Sequence, residues 1–520
     1  MTRERSQAMD KWGRNLSLAA LVVLLVLLPF EKGVEATYQG AQVVVLVGFV
    51  LRLVGRVDRR FWAVAVAVFV VSMALFTATA AIASHTMQSD FYDYTTREIV
   101  RELLKQVGAL YFCMTLVFLS QFVFRPGVWT PHDRWMKTIL GLAWAFALVV
   151  IISAICSTRP FSVGRPTGSL EYVRKFVAPY LLIYMIMVET LYSWRHYRII
   201  ITTVYLVGII VASASATIRY LYIYGGHDTQ SEIVRNEWVR VQEMGDQIEI
   251  RNQWPFGHHN RLCSYALMVT LFVWLQFFVT RNWELKTLVA ISALIPIWCM
   301  VVTLTRGGWV ALVVGAVGLI LMVNWRSVWI LLAVAFATWW ISPTVVRERL
   351  LSVFSPETYT RPSGTFYLRR QIWNRSFEIV RSHPALGLGA GWEVFEEYVK
   401  FHYPPLRPDQ DTPHAHNNLL EIAVESGLAA LVLFVAFTGA LVAQVLRAWR
   451  ATKRQTKPRF VVAGFFGLLI SVTVYGLSNY SLRYTIGMLL WICFALMTLL
   501  PSITRAIPEE EQAAAPADAT

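Results

Sequence analysis

The stretch Phe460–Leu477, FVVAGFFGLLISVTVYGL, carries no charge over its whole length. About 20 such residues in helical form span a hydrocarbon core. A strand of a membrane barrel would alternate apolar and polar positions, and this run does not. Leu16–Pro29 and Phe61–Ala83 read the same way, so the pattern is general rather than local. Composition agrees: 56% of the 520 residues are hydrophobic and the mean hydropathy is +0.49, against about 45–50% apolar residues in soluble domains. The expectation is an all-α polytopic membrane protein, with one membrane domain over 1–504 and a tail from 505 to 520. That tail is acidic and then Ala/Pro-rich, which predicts a disordered cytoplasmic segment. The first run follows Arg3, Arg5, Lys11 and Arg14 without a small-residue cleavage site after Phe30, and reads as a retained helix. Cys113, Cys156, Cys263, Cys299 and Cys493 all sit in or beside apolar runs without CxxC spacing, so packing is expected of them rather than disulfides or zinc.

Hydropathy places spans at about 15–30, 38–54, 61–84, 107–124, 137–156, 173–193, 199–218, 262–280, 287–304, 308–323, 327–342, 417–446, 460–478 and 484–503, or about 12–14 transmembrane helices in all. Alternate connections are short and basic: Arg52/Arg56/Arg59/Arg60, Arg125/Arg134/Lys137, Arg195/Arg198, Arg281/Lys286, Arg326, and the run from Arg447 to Arg459. Cytoplasmic loops have that character. The same alternation puts 85–106, 157–172, 219–261 and the large loop 343–416 on the other side. Within the large loop, Phe366, Ile372, Trp373, Phe377 and Val380 are spaced for an amphipathic helix over 366–382. His383-Pro384 and Gly387, Gly389 and Gly391 then end it in a turn.

A net charge of +14 in a soluble protein would raise nucleic acid as a partner. Here topology accounts for the inner share, and no nucleic acid is expected. The outer basic set is not explained that way: Arg159, Arg165, Arg174, Lys175, Arg219, Arg235, Arg240, Arg251, Arg261, Arg306, Arg361, Arg369, Arg370, Arg375 and Arg381. A guanidinium fork matches phosphate geometry, so a phosphate-bearing ligand is the leading explanation. Solvated arginines on a long loop, which escapes the charge rule, are the plain alternative.

Three constellations carry the chemistry. Thr305-Arg306-Gly307-Gly308 sets a guanidinium between two apolar runs with almost no loop, a costly position; the alternative is an arginine snorkelling to the interface. Arg369, Trp373 and Phe377 share an i, i+4 face beside Arg370, which suits a lipid-linked anion or a sugar stacked on tryptophan, or else a membrane-surface anchor. His414-Ala415-His416-Asn417 opens a membrane helix that carries Glu421 and Glu425. His416, neutral near pH 7 by residue type, is suited to accept a proton or to hold a phosphate, while Glu421 and Glu425 are placed to orient or neutralise basic partners. Two structural histidines are the alternative, and His-x-His alone is weak support for a metal. His258-His259-Asn260-Arg261 repeats the pattern at another helix start, where Asn260 is expected to cap.

In this order the motifs resemble the O-antigen ligase and polymerase superfamily of bacterial envelope glycosyltransferases: Thr305-Arg306-Gly307, Arg369-x-x-x-Trp373, His383-Pro384 before Gly387-x-Gly389, then His416-Asn417-x9-Gly427. They cover roughly residues 255–480. Ala430 departs from the Gly, Thr or Tyr that closes the ligase signature. The resemblance implies a GT-C-like enzyme of the bacterial inner membrane, with a periplasmic site and without metal or cofactor. It would move a glycan from an undecaprenyl diphosphate-linked donor to a lipid A core acceptor among membrane lipids. It also implies His416, Arg306 and Arg369 as catalytic residues. Around them, Arg370, Trp373, His414, Asn417 and Glu425 are expected to bind substrate. A polymerase joining lipid-linked repeat units is the nearest rival, and a protein-glycosylating transferase a more distant one. A transporter of lipid-linked sugars would show internal repeats or a charged relay through span centres, and a bare scaffold leaves Arg306 and His416 unexplained.

Overall fold

The computed structural model describes residues 3–29, 134–157, 168–191, 193–225, 239–244, 247–341, 344–351, 365–406, 414–452 and 457–513. The expected spans 38–54, 61–84 and 107–124 lie outside these residues, as do Cys113, Arg159, Arg165, Arg235 and Arg361. Over the described residues the helices are α1 (Arg3–Leu27), α2 (Arg134–Ile155), α3 (Ser169–Tyr172), α4 (Ala178–Thr190), α5 (Trp194–Tyr224), α6 (His259–Val279), α7 (Trp283–Ser292), α8 (Leu294–Val302), α9 (Arg306–Val323), α10 (Val328–Ile341), α11 (Thr344–Leu351), α12 (Thr365–Ser382), α13 (Trp392–His402), α14 (Asn418–Ala451), α15 (Lys457–Gly476) and α16 (Tyr484–Ala513). Among the described residues, eight helical segments are long and apolar enough to cross a membrane, so the chain is an all-α polytopic membrane protein. They match the expected spans 137–156, 199–218, 262–280, 287–304, 308–323, 417–446, 460–478 and 484–503.

The breaks in these helices have local causes. Pro296 lacks an N–H and crowds the carbonyl of Ser292, so the span Trp283–Val302 divides between α7 and α8 at Ala293. Pro179 likewise cannot donate to Lys175, and the chain widens into a π-helical turn over Val173–Val177 between α3 and α4. The helices then pack through small residues, as they must where lipid tails are no less apolar than side chains. α9 crosses α15 so closely at Gly315 that a β-carbon there would lie 1.7 Å from Ser471 Oγ and 2.7 Å from the Gly467 carbonyl oxygen.

Every residue of α4 is buried, and its Tyr184 hydroxyl lies 2.9 Å from Thr498 Oγ1 of α16. From α14, Gln444 Nε2 donates to the Thr498 carbonyl at 2.8 Å. Cys263, Cys299 and Cys493 are buried free thiols within this core, and Cys156 is free and exposed.

Three features go beyond those expectations. The connection 219–261 contains an antiparallel hairpin, β1 (Val239–Met244) with β2 (Gln247–Asn252). Its two-residue alternation, Val239, Val241, Ile248 and Ile250 against polar neighbours, was the available signal. The large loop holds α11 and α13 as well as the expected amphipathic helix. α12 and α13 build a satellite core in which Ile372, Ile379, Leu388, Val394, Phe395 and Val399 pack on Val424 of α14. Finally, α16 continues to Ala513, past the boundary expected at 504, because Glu509 to Ala513 are good helix formers.

Candidate active site

The starts of α6, α9, α14 and α16 meet at one end of the bundle. The Tyr475 hydroxyl on α15 donates to the Asn260 carbonyl at 2.6 Å. Thr305 Oγ1, just before α9, donates to Asn260 Oδ1 at 3.2 Å. Asn417 Nδ2, just before α14, donates to the Leu477 carbonyl at 3.0 Å. Helix N-termini carry the positive ends of their dipoles, so this end is electropositive even before side chains are counted. Between these starts and α12 lies a cavity of about 350 Å³, walled by His258, Asn260, Arg261, Leu368, Ile372, His414, His416, Asn479, Tyr480 and Arg483, among others.

His416 is held by its neighbours. The Ala415 N–H donates to Glu421 Oε2, and the Ala415 carbonyl accepts the Trp373 indole N–H at 2.9 Å. The His416 N–H donates to His414 Nδ1 at 3.3 Å, and the two rings meet edge to face with centroids 4.0 Å apart. Asn417 then caps α14, its Oδ1 accepting from the N–H groups of Leu419 and Leu420. The cost of this design sits at His416, whose φ of 52° is in the left-handed region. A non-glycine residue persists there only where its surroundings over-determine it. Burial, and then the charges of Arg369 and His258, push the His416 imidazole down to about 3. His414 is also pushed well down, first by burial and then by His416 and Arg483. Both rings are neutral at pH 7.

Arg369 projects from α12, and its Nη2 donates to Asn479 Oδ1 at 3.4 Å. Burial lowers its pKa, with the Arg306 charge adding to the shift. Arg306 opens α9, whose next residue abuts the same turn: a β-carbon on Gly307 would lie 2.5 Å from Ser478 Oγ and 3.2 Å from Asn479 Nδ2. The turn after α15 therefore gathers both arginines. Arg370, one residue and about 100° around the helix from Arg369, is exposed.

Of the expected site residues, the fold brings together His416, His414, Arg369 and Arg306. Trp373 and Asn417 hold the loop that carries His416. Glu425 is buried and turned to Arg483, and Phe377 is exposed. At α6 the cap is His258, whose Nδ1 accepts from the Asn260 N–H at 3.2 Å, and not Asn260 as expected. An imidazole nitrogen left neutral by burial can accept that bond, which is why His258, two positions before Asn260, took the role.

Arg483 was missed. It is 3% exposed, donates to Glu421 Oε1 at 2.6 Å and to Glu425 Oε1, and gives its Nε–H to the Tyr172 hydroxyl at 3.0 Å. Its guanidinium lies 4.2 Å from the centre of the Tyr480 ring. The signal was the one that singled out Arg306: a lone arginine in a short connection between two apolar runs. Through Glu421 and Ala415, this buried pair of carboxylates and one guanidinium is tied to His416.

The last part of the His416 motif is explained by α14 itself. At Gly427, φ is 77° and ψ is 178°, so the helix is broken there. The Leu428 N–H, freed from Val424, donates to the Pro384 carbonyl at 2.8 Å, while the Val424 and Glu425 carbonyls accept from Leu388 and Gly389, each at 2.9 Å. Ser153 Oγ reaches both Leu386 and Glu425 carbonyls. The His383-Pro384 and Gly387-x-Gly389 segment is thus the strand-like partner of a broken helix, and it fixes the angle at which His416 enters the cavity.

Residues 291–435 match the family model described as O-antigen ligase. Over that stretch the chain is similar to the O-antigen ligase family. The match takes in Arg306, Arg369, His416 and the break at Gly427, while His258 and Arg483 of the same cavity lie outside it. A comparison with curated proteins found no match. Ligases and polymerases of this superfamily are membrane glycosyltransferases acting on lipid-linked glycans, and the eight apolar helices suit that setting.

Proposed function

We propose that the protein is an O-antigen ligase, transferring a glycan from undecaprenyl diphosphate to a sugar of the lipid A core at the periplasmic face of the bacterial inner membrane. The observation that carries this reading is the convergence of Arg306 and Arg369 on one turn beside a neutral His416. Diphosphate is already a good leaving group, so holding it and meeting its charge carry much of the rate. Arg306 and Arg369 do this with guanidinium groups, which removes the need for a metal.

The acceptor hydroxyl oxygen attacks the anomeric carbon as the bond to the diphosphate oxygen breaks, in one inverting displacement. His416 takes the hydroxyl proton. Among the protein's own groups it is a weak base, because burial and Arg369 disfavour its charged form. The negative charges of a bound diphosphate oppose both effects and raise its basicity, so proton transfer is coupled to donor binding.

The test is transfer in detergent from purified undecaprenyl diphosphate-linked glycan to lipid A core. His416→Ala and Arg306→Ala proteins that melt like the wild type should lose about 100-fold or more in rate, and activity should survive chelation. Wild-type rates in both variants would overturn the reading. The Ala430 departure favours one second reading, a polymerase. Transfer onto a second lipid-linked glycan, without any lipid A core, would select it.

A further inference from the structure

We propose that the β1–β2 hairpin and the start of α6 form a second anion subsite, apart from Arg306 and Arg369, that takes a phosphate or carboxylate group of the acceptor glycolipid. The inference rests on the transferase reading above and names a property of its acceptor.

The hairpin register sets Arg240 directly opposite Arg251. Like charges facing each other across an antiparallel pair destabilise it. The rung is nevertheless anchored. Val239 and Asn252 are buried, Asn252 Nδ2 donates to the Ser215 carbonyl at 2.9 Å, and the Arg219 guanidinium donates to the Ile250 carbonyl. The fold therefore fixes the two arginine positions opposite each other, and an anion bound there would offset their like charge.

The ground beside them is also basic. Arg251 Nη1 lies 3.2 Å from His259 Nε2, and the His258 and His259 rings stack with centroids 4.4 Å apart. His258 and Arg261 form part of the cavity wall, and the Arg261 guanidinium sits 3.7 Å from the centre of the Tyr484 ring.

Burial first, and then Arg261, Arg240 and Arg251, push His258 down to about 4. His258 is thus held neutral beside Arg261, Arg240 and Arg251, and a proton on it would be felt by His416 on its other side. Neutral histidines lie between two cationic sets. A donor diphosphate occupies one set, and a second substrate with its own anionic group fits the other. An anionic phospholipid headgroup shares that chemistry, and the experiment separates the two sources.

The probe is lipid A core with its phosphates intact or removed by phosphatase, assayed in nanodiscs of neutral or of anionic phospholipid. In wild-type protein, kcat/KM should favour the phosphorylated acceptor. Arg240→Gln with Arg251→Gln should lower that preference about tenfold, the effect of losing a charge-assisted contact, with the donor KM unchanged. Arg240→Lys with Arg251→Lys should keep part of it. An unchanged preference in the Gln variant overturns the subsite. A loss that follows disc charge and ignores acceptor phosphate overturns the acceptor assignment. Direct binding of the phosphorylated core reads the subsite even if no transfer occurs, so its failure is distinct from failure of the transferase reading.

Discussion

At the scale of single residues, the site depends on histidines kept uncharged. An unfolded chain protonates histidine near pH 6.5, whereas folded His416 and His258 bind the proton only at about 3 and about 4. Below pH 6.5 the unfolded state therefore holds more protons, and linkage makes stability fall as pH falls toward those lower values. The contribution is fully present above pH 6.5. In detergent, the melting temperature of the wild type should drop between pH 6.5 and pH 4, and a His414→Gln, His416→Gln variant should show a shallower drop. Equal slopes would mean that these rings are solvated. Sequence alone singled out Arg306 at this scale because a charge is costly where it stands, and His416 because it joins the large loop to a membrane helix. It did not reveal that Trp373 and Asn417 serve His416, since an indole N–H and a carboxamide have many possible partners.

At the scale of elements, the break in α14 is the joint on which the site turns. A β-carbon on Gly427 would lie 2.1 Å from the Ala385 carbonyl oxygen, and the φ of 77° is unfavourable for any L side chain. Gly427→Ala should cost about 1–3 kcal/mol in backbone strain alone, with the clash added. A lower melting temperature, together with loss of transfer, is the expected result. A variant as stable as the wild type would show that the two arms of α14 can straighten without harm. The hairpin belongs to this scale too. Its alternation was present in the sequence but short, and it was hidden inside a connection defined by what lay on either side.

Across the whole molecule, Arg483 joins α3, α14 and α16 at one buried point. Removing one partner from a buried ion pair costs about 3–5 kcal/mol, because the remaining charge is stranded away from water. Arg483→Met should therefore accumulate poorly or melt early. Adding Glu421→Gln and Glu425→Gln should restore much of the loss by neutralising the stranded carboxylates. If the triple variant is no better than the single one, the arginine acts through packing rather than charge. Restored stability without restored transfer is expected as well, since the Ala415 peptide beside His416 leans on the Glu421 carboxylate.

Hydropathy and charge by themselves determined the membrane class, the eight membrane-length helices within the described residues though not the expected spans 173–193 and 327–342, and the order of the motifs. Those are one-dimensional properties: an apolar run must be about as long as a bilayer is thick, wherever the rest of the chain lies. The uncharged stretch from Phe460 to Leu477 needed no neighbour to be read as a helix. Only the tertiary structure decided that Arg369 reaches Asn479 while Arg370 is exposed, that Glu425 belongs to Arg483, and that Arg240 stands against Arg251. Each of these depends on which polar groups from distant segments share a low-dielectric space, and the energy of a buried charge is set by those partners and not by its place in the chain.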